Sequence, residues 1–132
     1  MAFILHVIDA PEIASAEAAE SFISDQDGRP SEPNAKFSRF IDDITGTYPD
    51  LTHDDPDGDD ERNVWEESIA DIETSGRVFE LAVKEDLIDE RVVAAIAHAA
   101  LTSGLQLFDS EGMALYRADH MIVDLKGKTQ PF

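Results

Sequence analysis

The chain has no cysteine and little positive charge. Without cysteine it can form neither a disulfide framework nor a thiolate metal site, and it offers no thiol nucleophile. Only ten of its 132 residues are Lys or Arg, against 29 Asp and Glu, so its formal net charge at pH 7 is −19. Such a surface repels phosphates and anionic lipids, so we expect neither nucleic acid nor membrane as a direct partner.

Long apolar runs are also missing. The run at residues 3–8 has no basic residue before it and ends at Asp9 and Pro11. No run approaches the roughly 20 apolar residues that span a bilayer. We therefore expect a cytoplasmic protein without a signal peptide or membrane segment.

The remaining pattern predicts an α+β fold. The 42% hydrophobic content is enough for a core. Capping residues and apolar spacing predict helices that begin after Ser15, after Asn34 and after Asp86 or Asp89. The predicted strands are residues 3–8, a hairpin of 68–73 with 77–83, a second hairpin of 105–108 with 113–117, and residues 121–125.

This order suggests a ferredoxin-like, split βαβ sandwich with an antiparallel or mixed sheet and helices on one face. A plain antiparallel sheet with helices packed across it is the alternative. We expect residues 1–117 to form a single α+β domain and residues 118–132 to form a C-terminal strand and tail whose last residues fray.

The sequence lacks the common catalytic and cofactor motifs. It contains no GxSxG, GxGxxG, GxxxxGK[ST] or HExxH pattern, and its four histidines show no metal-ligand spacing. We therefore predict no catalytic residue, no cofactor and no metal site. His6 is interpreted as a core or sheet-face residue, and His98 as lying on the outer side of the third helix.

The stretch from residue 50 to residue 62 is mostly acidic and has no hydrophobic period, which predicts an exposed loop. Asp55, Asp57 and Asp59 around Gly58 resemble calcium ligands. In the EF-hand register, however, His53 and Val64 occupy the first and last positions, where acids are required. A solvated acidic loop is therefore the favoured interpretation.

Two surfaces could recognise other proteins. The acidic loop would attract a basic partner, with Trp65 as an aromatic anchor. The outer side of the third helix carries small or weakly polar residues, which either form a homodimer contact or simply favour a helix. The predicted partner-binding residues are Asp54, Asp55, Asp57, Asp59, Asp60 and Trp65.

Several short motifs resemble a group of small, uncharacterised acidic bacterial proteins. They are Tyr48-Pro49-Asp50-Leu51 at a helix exit, Trp65 after an acidic loop, and Gly104-Leu105-Gln106-Leu107-Phe108-Asp109 after a helix. The resemblance covers most of residues 1–117 and implies an immunity or accessory protein for a bacterial toxin. It brings no catalytic residues.

The sequence therefore favours a non-enzymatic acidic binding protein that engages a basic protein, such as a toxin. One alternative is a small metal-dependent enzyme that uses Asp-rich loops. Another is an acidic housekeeping domain of a halophile, in which the low lysine content and the negative charge would reflect a salty environment.

Overall fold

The chain forms three helices and six strands in its described residues. A computed structural model describes residues 2–10, 12–26, 32–51, 63–69 and 76–131. In chain order the elements are β1 (Ala2–Ile8), α1 (Ala16–Gln26), α2 (Ala35–Ile44), β2 (Val78–Lys84), α3 (Glu90–Thr102), β3 (Gln106–Asp109), β4 (Ala114–Tyr116), β5 (Met121–Val123) and β6 (Thr129–Pro131).

The strands form one six-stranded sheet in the described part of the chain, in the order β2-β1-β3-β4-β5-β6. Every neighbouring pair is antiparallel. The predicted α+β class and antiparallel sheet are therefore confirmed.

The connections explain why the ferredoxin-like topology is not confirmed. β2 and β3 both run antiparallel to β1, which lies between them, and α3 follows β2 and precedes β3 along the chain. β2, α3 and β3 therefore form one split βαβ unit, with β1 inserted between its two strands. A ferredoxin-like sandwich needs a second unit of this kind, interleaved with the first. Here the chain passes from β1 through α1 and α2 to β2, and these two strands pair directly with each other, with no strand between them.

The helices pack on both faces of the sheet, so the prediction that they lie on one face is wrong. Successive side chains of a strand point to opposite faces. Leu5 and Val7 of β1 belong to a core with α2 and α3, whereas Ile8 belongs to a second core with Ala16 and Ala19 of α1. The sheet is thus the middle layer, because β1 is apolar on both sides.

Side-chain caps fix the helix starts where the sequence predicts them. Ser15 Oγ accepts from the backbone N–H of Ala18 at 3.1 Å, and Asn34 Oδ1 accepts from that of Lys36 at 3.1 Å. Asp89, rather than Asp86, caps α3 through Val92. Such caps satisfy backbone donors that a helix leaves unpaired at its first turn.

The first arm of the predicted hairpin is wrong where the structure describes it. Ser68 and Ile69 are not in a strand, and residues 70–75 lie outside the described residues. The outer edge of β2 pairs instead with the segment around Trp65: the Lys84 N–H donates to the Val64 carbonyl at 2.7 Å, and the Glu66 N–H donates to that of Ala82 at 2.9 Å. This segment covers an edge that would otherwise expose backbone groups.

The C-terminal residues form a hairpin where fraying was predicted. Asp124 Oδ1 accepts from the backbone N–H groups of Lys126 and Lys128 at 2.9 and 2.8 Å. Gly127 supplies the positive φ of 82° that the turn requires. The turn returns β6 to pair with β5, so residues 121–131 continue the sheet.

One buried amide ties this end of the sheet to the loop after β1. Gln106 is 1% exposed, and its Nε2 donates to the carbonyls of Ala10 and Ile13, each at 3.0 Å. Its Oε1 accepts from the Ala118 N–H at 2.8 Å. The single side chain therefore serves three backbone groups in two loops.

We predict that Gln106→Ala lowers the free energy of unfolding by about 2–3 kcal/mol, because it leaves buried backbone groups without partners. Urea denaturation monitored by circular dichroism measures the change. Gln130→Ala, at an exposed position of β6, is the control and should stay within about 0.5 kcal/mol of the parent. Equal effects of the two variants would contradict the role given to the Gln106 amide.

Candidate functional site: the base of the acidic segment

The negative charge is concentrated in one part of the chain. Residues 40–76, called the acidic segment below, hold thirteen Asp and Glu but only one Lys or Arg, so their net charge is −12 of the total of −19. The segment is a little more than a quarter of the length. The excess charge is therefore a regional property, which whole-chain composition conceals.

The predicted partner-binding residues fall into two groups. Asp54, Asp55, Asp57, Asp59 and Asp60 lie outside the described residues. Trp65 is described, and its side chain is in the core at 1% exposure. An indole this deeply buried offers no area to a partner, so its predicted role as a contact anchor is wrong for this fold.

Trp65 and Asn63 instead hold the two ends of the acidic loop together. The Trp65 Nε1–H donates to the backbone carbonyl of Tyr48 at 2.9 Å, and Asn63 Nδ2 donates to that of Pro49 at 2.9 Å. Asn63 is 8% exposed. Both bonds cross from the residues after the acidic loop to the residues before it.

Asp50 provides the same connection in the other direction. Its Oδ1 accepts from the Ile69 N–H at 2.8 Å and its Oδ2 accepts from Ser68 Oγ at 3.0 Å. Oδ1 also accepts from the N–H of Leu51 at 2.8 Å. We call residues 48–51 and 63–69 the base of the acidic segment, because these bonds hold both ends of residues 52–62 at one place.

Exposed carboxylates lie in the base and on α2. Glu66 and Glu67 follow Trp65 and are exposed, as are Asp42 and Asp43 of α2. The base itself is pinned to β2 by the backbone bonds of Val64 and Glu66, and so to the central sheet. The acidic side chains are therefore presented from a fixed part of the fold.

Sequence reasoning missed Asp50 and Asn63 as site-forming residues. Asp and Asn are typical of turns, where their side chains bond nearby backbone groups. That signal predicts a local role, such as the Asp50 bond to Leu51. It does not reveal partners that are 14 and 19 residues away along the chain.

A second polar cluster, the Asp9 junction, joins β1, α2 and the start of β2. Asp9 Oδ1 accepts from Lys36 Nζ at 2.8 Å, and Oδ2 accepts from Asn34 Nδ2 at 3.1 Å. The Asp9 carbonyl accepts two bonds from the Arg77 guanidinium, at 3.0 and 2.7 Å. Arg77 also lies 4.9 Å from the centre of the Phe22 ring, within cation–π distance.

The Asp9 junction borders an open cleft of about 500 Å³, lined by Asp9, Gln26, Glu32, Pro33, Asn34, Gly76 and Arg77. Burial raises the pKa of the Asp9 carboxyl, but the Lys36 and Asn34 hydrogen bonds and the charges of Lys36 and Arg77 outweigh it, so the pKa lies below its usual value. A carboxylate held ionised in this way is a poor general base. The cluster is suited to fastening three elements together.

Two of the described histidines, His98 and His120, lie close to each other. His98 is exposed, as predicted, and its ring centre is 5.7 Å from that of His120. Within the described ranges, no group of three or more His, Asp or Glu side chains could hold a metal ion. The same ranges contain no helix with the length and apolar character to cross a bilayer.

We predict that Trp65→Phe lowers the free energy of unfolding by about 1–3 kcal/mol, because the smaller phenyl ring fills less of the buried site and the Tyr48 carbonyl loses its donor. Urea titration at pH 7 measures it. Thr47→Ala, an exposed neighbour of the base, serves as the control. If Trp65→Phe matched this control, the indole N–H would not contribute to holding the base.

We predict that Asp9→Ala lowers the free energy of unfolding by about 1.5–3 kcal/mol at pH 7, because two hydrogen bonds to the carboxylate are lost. A lowered carboxyl pKa contributes stability above the unfolded value of 3.8 that disappears as the pH falls through the folded pKa. The gap between parent and variant should therefore close below pH 3.8. A gap that stays constant in acid would contradict this account.

Comparison with known proteins adds no relative. The chain matches no family model, and it matches neither a curated protein nor a solved structure. The resemblance to small, uncharacterised acidic bacterial proteins, and the immunity or accessory role that it implies, therefore stay predictions.

Proposed function

We propose that this protein is a non-enzymatic binding protein, of the immunity or accessory type, that engages a basic protein through its acidic segment. The proposal rests on one combination: a net charge of −12 within residues 40–76, and hydrogen bonds that join the described residues on either side of residues 52–62. Charge concentrated in one region steers a cationic partner to that region, whereas evenly spread charge does not.

The base supports binding because it lowers the cost of association. A segment whose two ends are already fixed loses less conformational freedom when it contacts a partner. Trp65 and Asp50 supply this fixation from inside the fold. In the proposal their role is to position the acidic residues, and Asp54, Asp55, Asp57, Asp59 and Asp60 make the encounter.

The distribution of cations also supports the proposal. Lys36 forms an ion pair with Asp9, and Arg77 forms one with Glu12; all four residues lie outside the acidic segment. Arg117 is bound to Asp119. Lys36, Arg77 and Arg117 are therefore paired with carboxylates outside the acidic segment, and the segment itself contains one Lys or Arg.

The first test measures association with a cationic probe. We predict that changing Asp54, Asp55, Asp57, Asp59 and Asp60 to Asn slows the binding of immobilised poly-L-lysine at 50 mM salt by about tenfold, because steering depends on local charge. Surface plasmon resonance gives the association rate. The effect should largely vanish at 500 mM salt, where charges are screened within a few ångströms.

A matched control separates local charge from total charge. The control changes five exposed residues outside the acidic segment to Gln: Glu17, Glu20, Glu32, Glu90 and Glu111. It removes the same number of negative charges as the five-Asn variant. This control should slow association much less. Equal slowing by both variants would mean that net charge alone governs binding, and the proposed site would be wrong.

The partner class is tested in the cell that makes the protein. Affinity purification at 50 mM salt should recover a basic protein, and the five-Asn variant should not recover it although the matched Gln control does. Recovery of no basic protein by the parent would contradict the immunity or accessory role.

A further inference from the structure

His6 is the one titratable side chain that β1 places in the middle of the sheet. β1 pairs with strands on both sides, and His6 lies opposite Glu80 of β2 and Phe108 of β3. Its ring centre is 6.4 Å from that of Phe108. It shares its sheet face with Ile8, which packs in the core beneath α1.

The two ring nitrogens of His6 have different surroundings. Nδ1 is buried and has no hydrogen-bond partner among the described residues. Nε2 lies 3.9 Å from Oε1 of Glu80, whose side chain is largely exposed. This geometry suits the neutral ring with its proton on Nε2, because a second proton would place an unpaired N–H on buried Nδ1.

We infer that His6 is an acid-sensitive element of the fold: its neutral ring is compatible with the packed sheet, and its protonation destabilises the sheet and the layer that α1 covers. The physical cause is the burial of a charged ring whose Nδ1–H would have no acceptor. This inference is independent of the proposed binding function, since it concerns the opposite side of the sheet from the core that contains Trp65.

The groups around the His6 ring decide whether its pKa is raised or lowered. Glu80 is the charged group that reaches His6 among the described residues, and its side chain is 66% exposed, so solvent screens its attraction. From β3 the neighbour is the Phe108 ring, and α1 packs this face with Ala16, Ala19, Phe22 and Ile23 while Glu17, Glu20 and Asp25 remain exposed. Burial lowers the pKa of His6, and Glu80 raises it by less, so the pKa lies below 6.5.

The sign of the pH dependence follows. An unfolded chain binds a proton at His6 near pH 6.5, whereas the folded chain binds it only at lower pH. Between these two values the unfolded state holds more protons, so stability falls as the pH falls. The unfolding constant should rise up to tenfold per pH unit in that interval.

The test compares urea unfolding of the full chain at pH 7.5, 6.5, 5.5 and 5.0. Protonation of the many carboxylates also changes with pH, so each variant is read as a ratio to the parent at the same pH. The ratio of the parent's unfolding constant to that of His6→Phe should rise by at least threefold from pH 7.5 to pH 5.0. His6→Leu, which also cannot be protonated, should give the same trend if Phe packs poorly.

His98→Gln is the matched control, because it removes an exposed histidine. Its unfolding constant should follow that of the parent at every pH. If the ratio of parent to both His6 variants were constant with pH, or if His98→Gln gave the trend expected of His6, the inference would be overturned.

A nuclear magnetic resonance titration gives an independent readout. The His6 ring nitrogens should show the Nε2–H tautomer at pH 7.5, with a protonation midpoint below 6.5. A midpoint at or above 6.5 would also overturn the inference.

Discussion

The fold depends on the pairing of β1 on both of its edges. Its seven residues pair with all seven of β2, and residues 5–8 pair with β3 as well. Because its side chains alternate between two cores, β1 joins the α2–α3 layer to the α1 layer, as β3 also does through Leu107 and Phe108. Association of distant strands around it has to overcome the self-repulsion of a chain with a net charge of −19.

The few cations contribute to this assembly at one end of the sheet. Lys36 and Arg77 bind Asp9 just after β1, and Arg117, just after β4, contacts the Ala14 carbonyl at 3.4 Å. β1 and β4 point the same way in the sheet, since β3 lies antiparallel between them. Positive charge is therefore used to fasten the loop after β1, while the acidic segment is left almost without it.

Local signals predicted most of the elements, and long-range pairing accounts for the errors. Capping by Asn34 and Asp89 and the positive φ of 78° at Gly104 are encoded within a few residues, so the helix bounds could be predicted. Whether α1 packs on the sheet face of Ile8 or on that of Val7 depends on long-range contacts. The apolar periodicity within α1 does not specify this choice. Trp65 was misread because an indole beside an acidic loop has the same sequence signature whether it points outward or inward.

The buried indole also makes the base observable by spectroscopy. The chain has a single tryptophan, so its tryptophan fluorescence comes from the base alone. In the folded protein that ring is dry and hydrogen-bonded to the Tyr48 carbonyl. A red shift of emission before the loss of helical signal would therefore mean that the base opens before the helices unfold. An unchanged spectrum in a complex would mean that a partner docks without disturbing the base.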